Sequence, residues 1–148
     1  MENQDFKQTE EILAEIYRNA QLALQSIADI MPQVDDEEVR AELSAQHEEY
    51  ERFSARASVI AKDRGIELKE PNAFKKMMMW GSIKMNTLTD NSRAHIADMM
   101  IQGTVMGVTS LRKTASEASP EGREEILALM DEMIKTEEFF EKKWKEYL

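Results

Sequence analysis

Apolar residues in this chain recur at helical spacing over four long stretches. Leu13, Ile16, Ala20, Ala23, Ile27 and Ile30 follow one another at steps of three and four. The same rhythm runs through Val39, Leu43, Gln46, Tyr50, Phe53, Ala57 and Ile60. It returns in Ala97, Ile101, Thr104, Val108, Leu111, Ala115 and Ala118, and in Ile126, Met130, Met133, Glu137, Phe140, Trp144 and Tyr147. Such spacing places each set along one face of an α-helix. No segment alternates apolar and polar residues as a half-buried strand does. Five Gly and three Pro in 148 residues leave few turns between the helices.

Local signals set the expected boundaries. The first helix is predicted from about Thr9 to Met31, with Pro32 ending it. Asp35 and Glu38 have the spacing of a capping box, and Val34 and Val39 that of a hydrophobic staple, at the start of the second helix. Gly65 followed by Ile66 reads as its left-handed C-cap. A short helix is expected over Ala73–Met85. Thr89 or Asp90 is the expected cap of a helix running to about Glu117. Ser119-Pro120-Glu121 then reads as a cap, a first-position proline and an early acid opening the last helix. Tight joints at Met31–Asp35 and Ala118–Ser119 imply two antiparallel hairpins, with a long connection between them that carries the short helix. One all-α domain over residues 1–148 is expected, a four-helix bundle.

Composition excludes several function classes. Lys and Arg number 19 against 29 Asp and Glu, a formal net charge of −10. That balance opposes nucleic acid as the main partner and a polybasic membrane anchor. Cysteine is absent, which removes disulfides, thiolate metal sites and thiol catalysis. The N-terminus is acidic, unlike a secretory signal, and the most apolar stretch, 96–111, falls short of a bilayer span. A cytoplasmic protein is expected. No glycine-rich phosphate loop or Gly-x-Ser-x-Gly is present, and two separated histidines give nucleophilic triads almost no material. No catalytic residues and no cofactor are assigned.

Two hairpins joined by a long crossover resemble the ferritin-like bundle. Trp80-Gly81-Ser82-Ile83-Lys84-Met85-Asn86 and Ile101-Gln102-Gly103-Thr104-Val105-Met106-Gly107 carry the most specific likeness, to bacterial members of that superfamily distantly similar to rubrerythrins. The resemblance implies a ferritin-like fold with the short extra helix in the crossover between the second and third bundle helices. It raises the question of iron or manganese, which a ferritin-type centre binds through two Glu and two Glu-x-x-His pairs.

The spacing does not supply that set. Ser44 precedes His47 by three positions and Ser92 precedes His95 by three, so no Glu-x-x-His exists. In ferritin-like topology the two imidazoles would differ in height by about 12 Å. Weak metal candidates remain in His95 with Asp98, in His47 with Glu51, and in Glu137. Each histidine–acid pair reads first as a surface pair. Glu137 is expected on the margin of a core face defined by Ile134, Phe139 and Phe140. Its alternatives are a contact with Gln46 across the core and a ligand- or proton-handling role. The eleven methionines read as adaptable core filler.

Met100, Gly103 and Gly107 form a second stripe beside the main one on their helix. Glycine inside a soluble helix costs about 1 kcal/mol relative to alanine, so close approach of another helix is expected there. The partner is either within the bundle or in a second subunit. The function expected is non-catalytic, by association with itself (a dimer favoured) or with another protein. The alternative is a metal-dependent ferritin-like oxidoreductase or iron-handling protein.

Overall fold

A computed structural model describes residues 2–70 and 90–148. Among them the chain forms four long helices: α1 (Glu2–Ile30), α2 (Glu37–Asp63), α3 (Arg93–Glu117) and α4 (Glu124–Lys145). A 3-10 turn, Met31–Gln33, joins α1 to α2. No strand occurs among the described residues, and no helix there is long and apolar enough to cross a membrane. The short helix expected over 73–85, the Met77-Met78-Met79 run and the 80–86 motif lie outside the described residues.

The four stripes become one core. Leu13, Ile16, Ala20, Ala23, Ile27 and Ile30 are all buried, as are Val39, Leu43, Phe53 and Ala57 from α2. Helix α3 contributes Ile96, Ala97, Met100 and Leu111, and α4 contributes Ile126, Met130, Met133, Phe140 and Trp144. Each large apolar side chain buried in this way contributes about 1.5–3 kcal/mol.

Two hydrogen-bonded corners fix the helix directions. Arg93 at the start of α3 donates from Nε and Nη2 to the two carboxylate oxygens of Asp36, at 2.7 and 2.9 Å. Asn91 donates to the Gln33 carbonyl at 2.9 Å. The start of α3 therefore lies beside the start of α2, and the two helices run parallel. At the other end the Ser119 amide donates to Gln8 Oε1 at 3.2 Å, which sets α3 antiparallel to α1. The chain leaves α2 at one end of the bundle and enters α3 at the other. Tyr17, in the middle of α1, donates to Glu70 at 2.6 Å, so by residue 70 the return is already under way.

Several boundaries differ from expectation. Helix α1 begins at Glu2, well before Thr9. Residues 2–8 carry no complete apolar stripe, but they contain no helix breaker either. The cap of α2 is Asp36, not Asp35: its side chain accepts from the amides of Glu38 and Val39, at 3.0 and 3.2 Å. That one-residue shift moves Glu38 off the third helical position and removes the reciprocal capping box. Val34 and Val39 are nonetheless both buried. Ser92, not Thr89 or Asp90, caps α3 by accepting from the His95 amide at 3.4 Å. Helix α4 starts at Glu124, after a turn over 119–123 in which the Arg123 amide donates to the Pro120 carbonyl. Gly122 adopts φ 75° there, and a left-handed residue cannot continue a right-handed helix.

The end of α2 follows the expected pattern. Gly65 has φ 69°, its amide donates to the Lys62 carbonyl, and the Ile66 amide reaches back to the Ala61 carbonyl at 2.8 Å. Ile66 is buried against the core as the apolar partner of this cap. Gly65→Ala is expected to cost about 1–2 kcal/mol of unfolding free energy, because an L side chain must enter the left-handed region. Gly65→Asn should cost less than Gly65→Ala, and urea denaturation of the two variants checks the order.

A buried polar layer as the candidate functional site

The stripes are interrupted where the four helices face one another. Gln46 and Tyr50 lie four positions apart on α2, Thr104 and Gly107 three apart on α3, and Glu137 and Trp144 seven apart on α4. Each pair therefore shares a helix face. Asn19 of α1 completes the layer. Asn19, Gln46, Tyr50, Thr104, Glu137 and Trp144 are all buried, and Glu137 is only 1% exposed.

The hydrogen bonds have a direction. Trp144 Nε1 donates to Gln46 Oε1 at 2.8 Å. Gln46 Nε2 donates to the Tyr50 hydroxyl at 3.2 Å and to Thr104 Oγ1 at 3.3 Å. The Tyr50 hydroxyl donates to Glu137 Oε1 at 2.7 Å. From the other side Asn19 Nδ2 lies 3.1 and 3.2 Å from the two carboxyl oxygens of Glu137. One branch ends on Thr104, the others end on Glu137, and every donor on the way is neutral.

Desolvation dominates the electrostatics. Burial pushes the Glu137 carboxyl from 4.5 up to about 8, and the hydrogen bonds from Tyr50 and Asn19 offset only part of that rise. The carboxyl is therefore mainly protonated at neutral pH. Burial, followed by the charge of Glu137, holds the Tyr50 phenol well above its ordinary value. One turn along α1, Glu15 takes a hydrogen bond from Ser110 and an ion pair from Arg18. The nearest cation along α1 is thus already engaged by another acid.

Close packing seals the layer. A Cβ built on Gly107 would lie 2.8 Å from Asn19 Oδ1 and 3.0 Å from Glu137 Oε1. The glycine is needed because two polar side chains occupy the space that its own side chain would fill. Met100 and Gly103 are buried on the same helix, also within this one chain. The close approach expected at Gly107 is therefore made inside the bundle.

The other candidates are separated. His47 Nδ1 meets Glu51 at 2.8 Å, with both side chains partly exposed on α2. His95 lies 3.9 Å from Asp90, while Asp98 accepts from Gln102 at 2.9 Å, so the expected His95/Asp98 pair is divided between other partners. No cluster of three or more metal-ligating side chains occurs among the described residues. The marginal position expected for Glu137 is overturned. Phe139 is 57% exposed, so the core face is not rotated toward it, and Glu137 sits at the centre. Burial favours the protonated carboxyl there, against the donors Tyr50 and Asn19, which favour the carboxylate. The contact with Gln46 also takes another form, because Tyr50 stands between the two.

The polar roles of Asn19 and Tyr50 are not legible in the sequence. Tyr50 is indistinguishable from an apolar stripe residue. Asn19 belongs to a second buried row on α1, Ile12, Glu15, Asn19, Leu22 and Ser26, whose polar members hide it from any hydrophobic pattern.

Gly107→Ala is expected to destabilise the bundle by about 1–3 kcal/mol through overpacking, which outweighs the gain of about 1 kcal/mol in helix propensity. Adding Asn19→Ala should recover part of the loss if the clash is with Asn19, and thermal unfolding of the double-mutant cycle reads this. Comparison with protein-family models, with curated proteins and with solved structures finds no match to this chain.

Proposed function

We propose that this chain is a ferritin-like bundle whose central layer is structural rather than catalytic, and that it acts by association with a second copy of itself. Parallel α2 and α3, whose connection must span from one end of the bundle to the other, support the ferritin-like assignment. The observation that carries the non-catalytic reading is the closed layer around Glu137. Its carboxyl is met by an amide and a phenol, where a two-metal centre needs converging carboxylates and imidazoles. The remaining candidate ligands, His47, Glu51, His95 and Asp98, pair with neighbours on their own helices or beside them.

Association needs exposed apolar surface. Met100, Gly103 and Gly107 are buried and do not supply it; exposed apolar side chains on the same helix support the reading. Val105 and Met106 are adjacent on α3 and 40% and 46% exposed. Half-buried Ile101 and Val108 lie close by on the same helix. Apolar side chains gathered on a surface helix gain by excluding water against a like surface.

Sedimentation at tens of micromolar tests the reading. A dimer is expected for the wild type and a monomer for the Val105→Lys, Met106→Lys double variant. A monomeric wild type would remove the self-association reading. Stoichiometric iron or manganese in protein purified without chelator, with a metal-dependent rise in melting temperature, would replace the non-catalytic reading with the oxidoreductase or iron-handling one.

A further inference from the structure

The layer joins the two hairpins at two groups: Gln46, which accepts from Trp144 and donates to Thr104, and Glu137, the one carboxyl member that bridges them. Asn19 and Tyr50, the donors to Glu137, belong to the α1–α2 hairpin, and Glu137 belongs to the α3–α4 hairpin. Among the described residues, the hydrogen-bond partners of that carboxyl are neutral. From α1 it is faced by Asn19, with Glu15 and Arg18 paired together one turn away. From α2 it is faced by Tyr50, with Gln46 behind. From α3 it is faced by Gly107, with Thr104 joined through Gln46. Tyr50 is the one titratable partner of its carboxyl among the described hydrogen bonds, and Glu15 one turn along α1 is a second acid. The packing at Gly107 leaves no room for even a methyl group beside Glu137 and Asn19. A proton needs no added volume.

We propose that Glu137 is a proton-binding site that controls how firmly the α1–α2 hairpin is held on the α3–α4 hairpin. With the proton bound, the carboxyl is neutral and the closed layer is stable. When the proton is lost, a carboxylate remains among neutral donors, and it regains hydration only if the hairpins part at this level. The sign follows from linkage. The closed form holds its proton up to about pH 8, whereas an opened, hydrated Glu137 returns to 4.5. Closure is therefore favoured fully below 4.5, weakens as pH rises between those limits, and changes no further above about 8. The inference is independent of whether the chain dimerises.

Amide hydrogen exchange on the full chain between pH 5 and 9, corrected for intrinsic rates, tests it. Protection around Asn19 in α1 and Glu137 in α4 should fall by up to about tenfold per pH unit, then level off above about 8. Glu137→Gln, which mimics the protonated form, should abolish that slope. A wild type without the slope, or the same slope in Glu137→Gln, overturns the proposal. If Glu137→Gln does not fold, infrared spectroscopy of the wild type decides. A neutral carboxylic acid band present at pH 6 and lost near pH 8 sustains the proposal, and its absence at pH 6 ends it.

Discussion

The centre of this bundle is shielded from solvent, and the Glu137 carboxyl stands there, 1% exposed. A buried carboxylate without a cation is among the most costly arrangements a core can hold. The chain meets that constraint in three ways at once. Burial favours the protonated form of Glu137. Donors from two other helices reach its oxygens. Gly107 on the third gives up its side chain so that Asn19 and Glu137 can both fit. Each of the four helices thereby contributes to one layer, and sliding any one of them by a turn would break hydrogen bonds between buried side chains. The apolar stripes make the helices stick together. The layer selects the register at which they do so.

Around that layer the fold follows from hydrophobic burial. Two rows on α1 face the core, and α3 buries Ile96, Ala97, Met100, Gly103, Thr104, Gly107 and Leu111 together. Such broad arcs arise because each of these helices touches more than one neighbour. The corner made by Asp36 and Arg93 joins the starts of α2 and α3, and the Asp36 carboxylate serves as helix cap and ion-pair partner together. The Arg93 guanidinium beside it holds that carboxyl below its usual range.

The surface between α2 and α4 is laced with pairs of opposite charge: Arg52 and Arg56 with Glu132, Arg64 with Glu125, and Lys143 with Glu42. Exposed pairs of this kind contribute at most about 1 kcal/mol each. Their alignment follows from antiparallel packing. The acidic start of α4 lies beside the basic end of α2, and the basic end of α4 beside the acidic start of α2. Even so, acids exceed bases by ten over the whole chain. Exposed apolar side chains such as Val105 and Met106 therefore stand out against a mostly acidic exterior.

The four helices, their core faces and the left-handed stop at Gly65 are legible in the chain alone, because periodicity and turn chemistry are local properties. Gln46, Thr104 and Glu137 are also visible there as polar members of otherwise apolar rows. The same local signals misplaced the opening of α4, because Gly122 turns the chain after a segment whose composition suits a helix start. The central position of Glu137, in place of a marginal one, emerges once the helices pack. A carboxyl's position in a core depends on which donors other helices bring to it, and Asn19 and Tyr50 are 118 and 87 positions away in the chain. The role of Gly107 was settled in the same way: two glycines four positions apart announce a close approach, but what approaches is known only once the helices have packed.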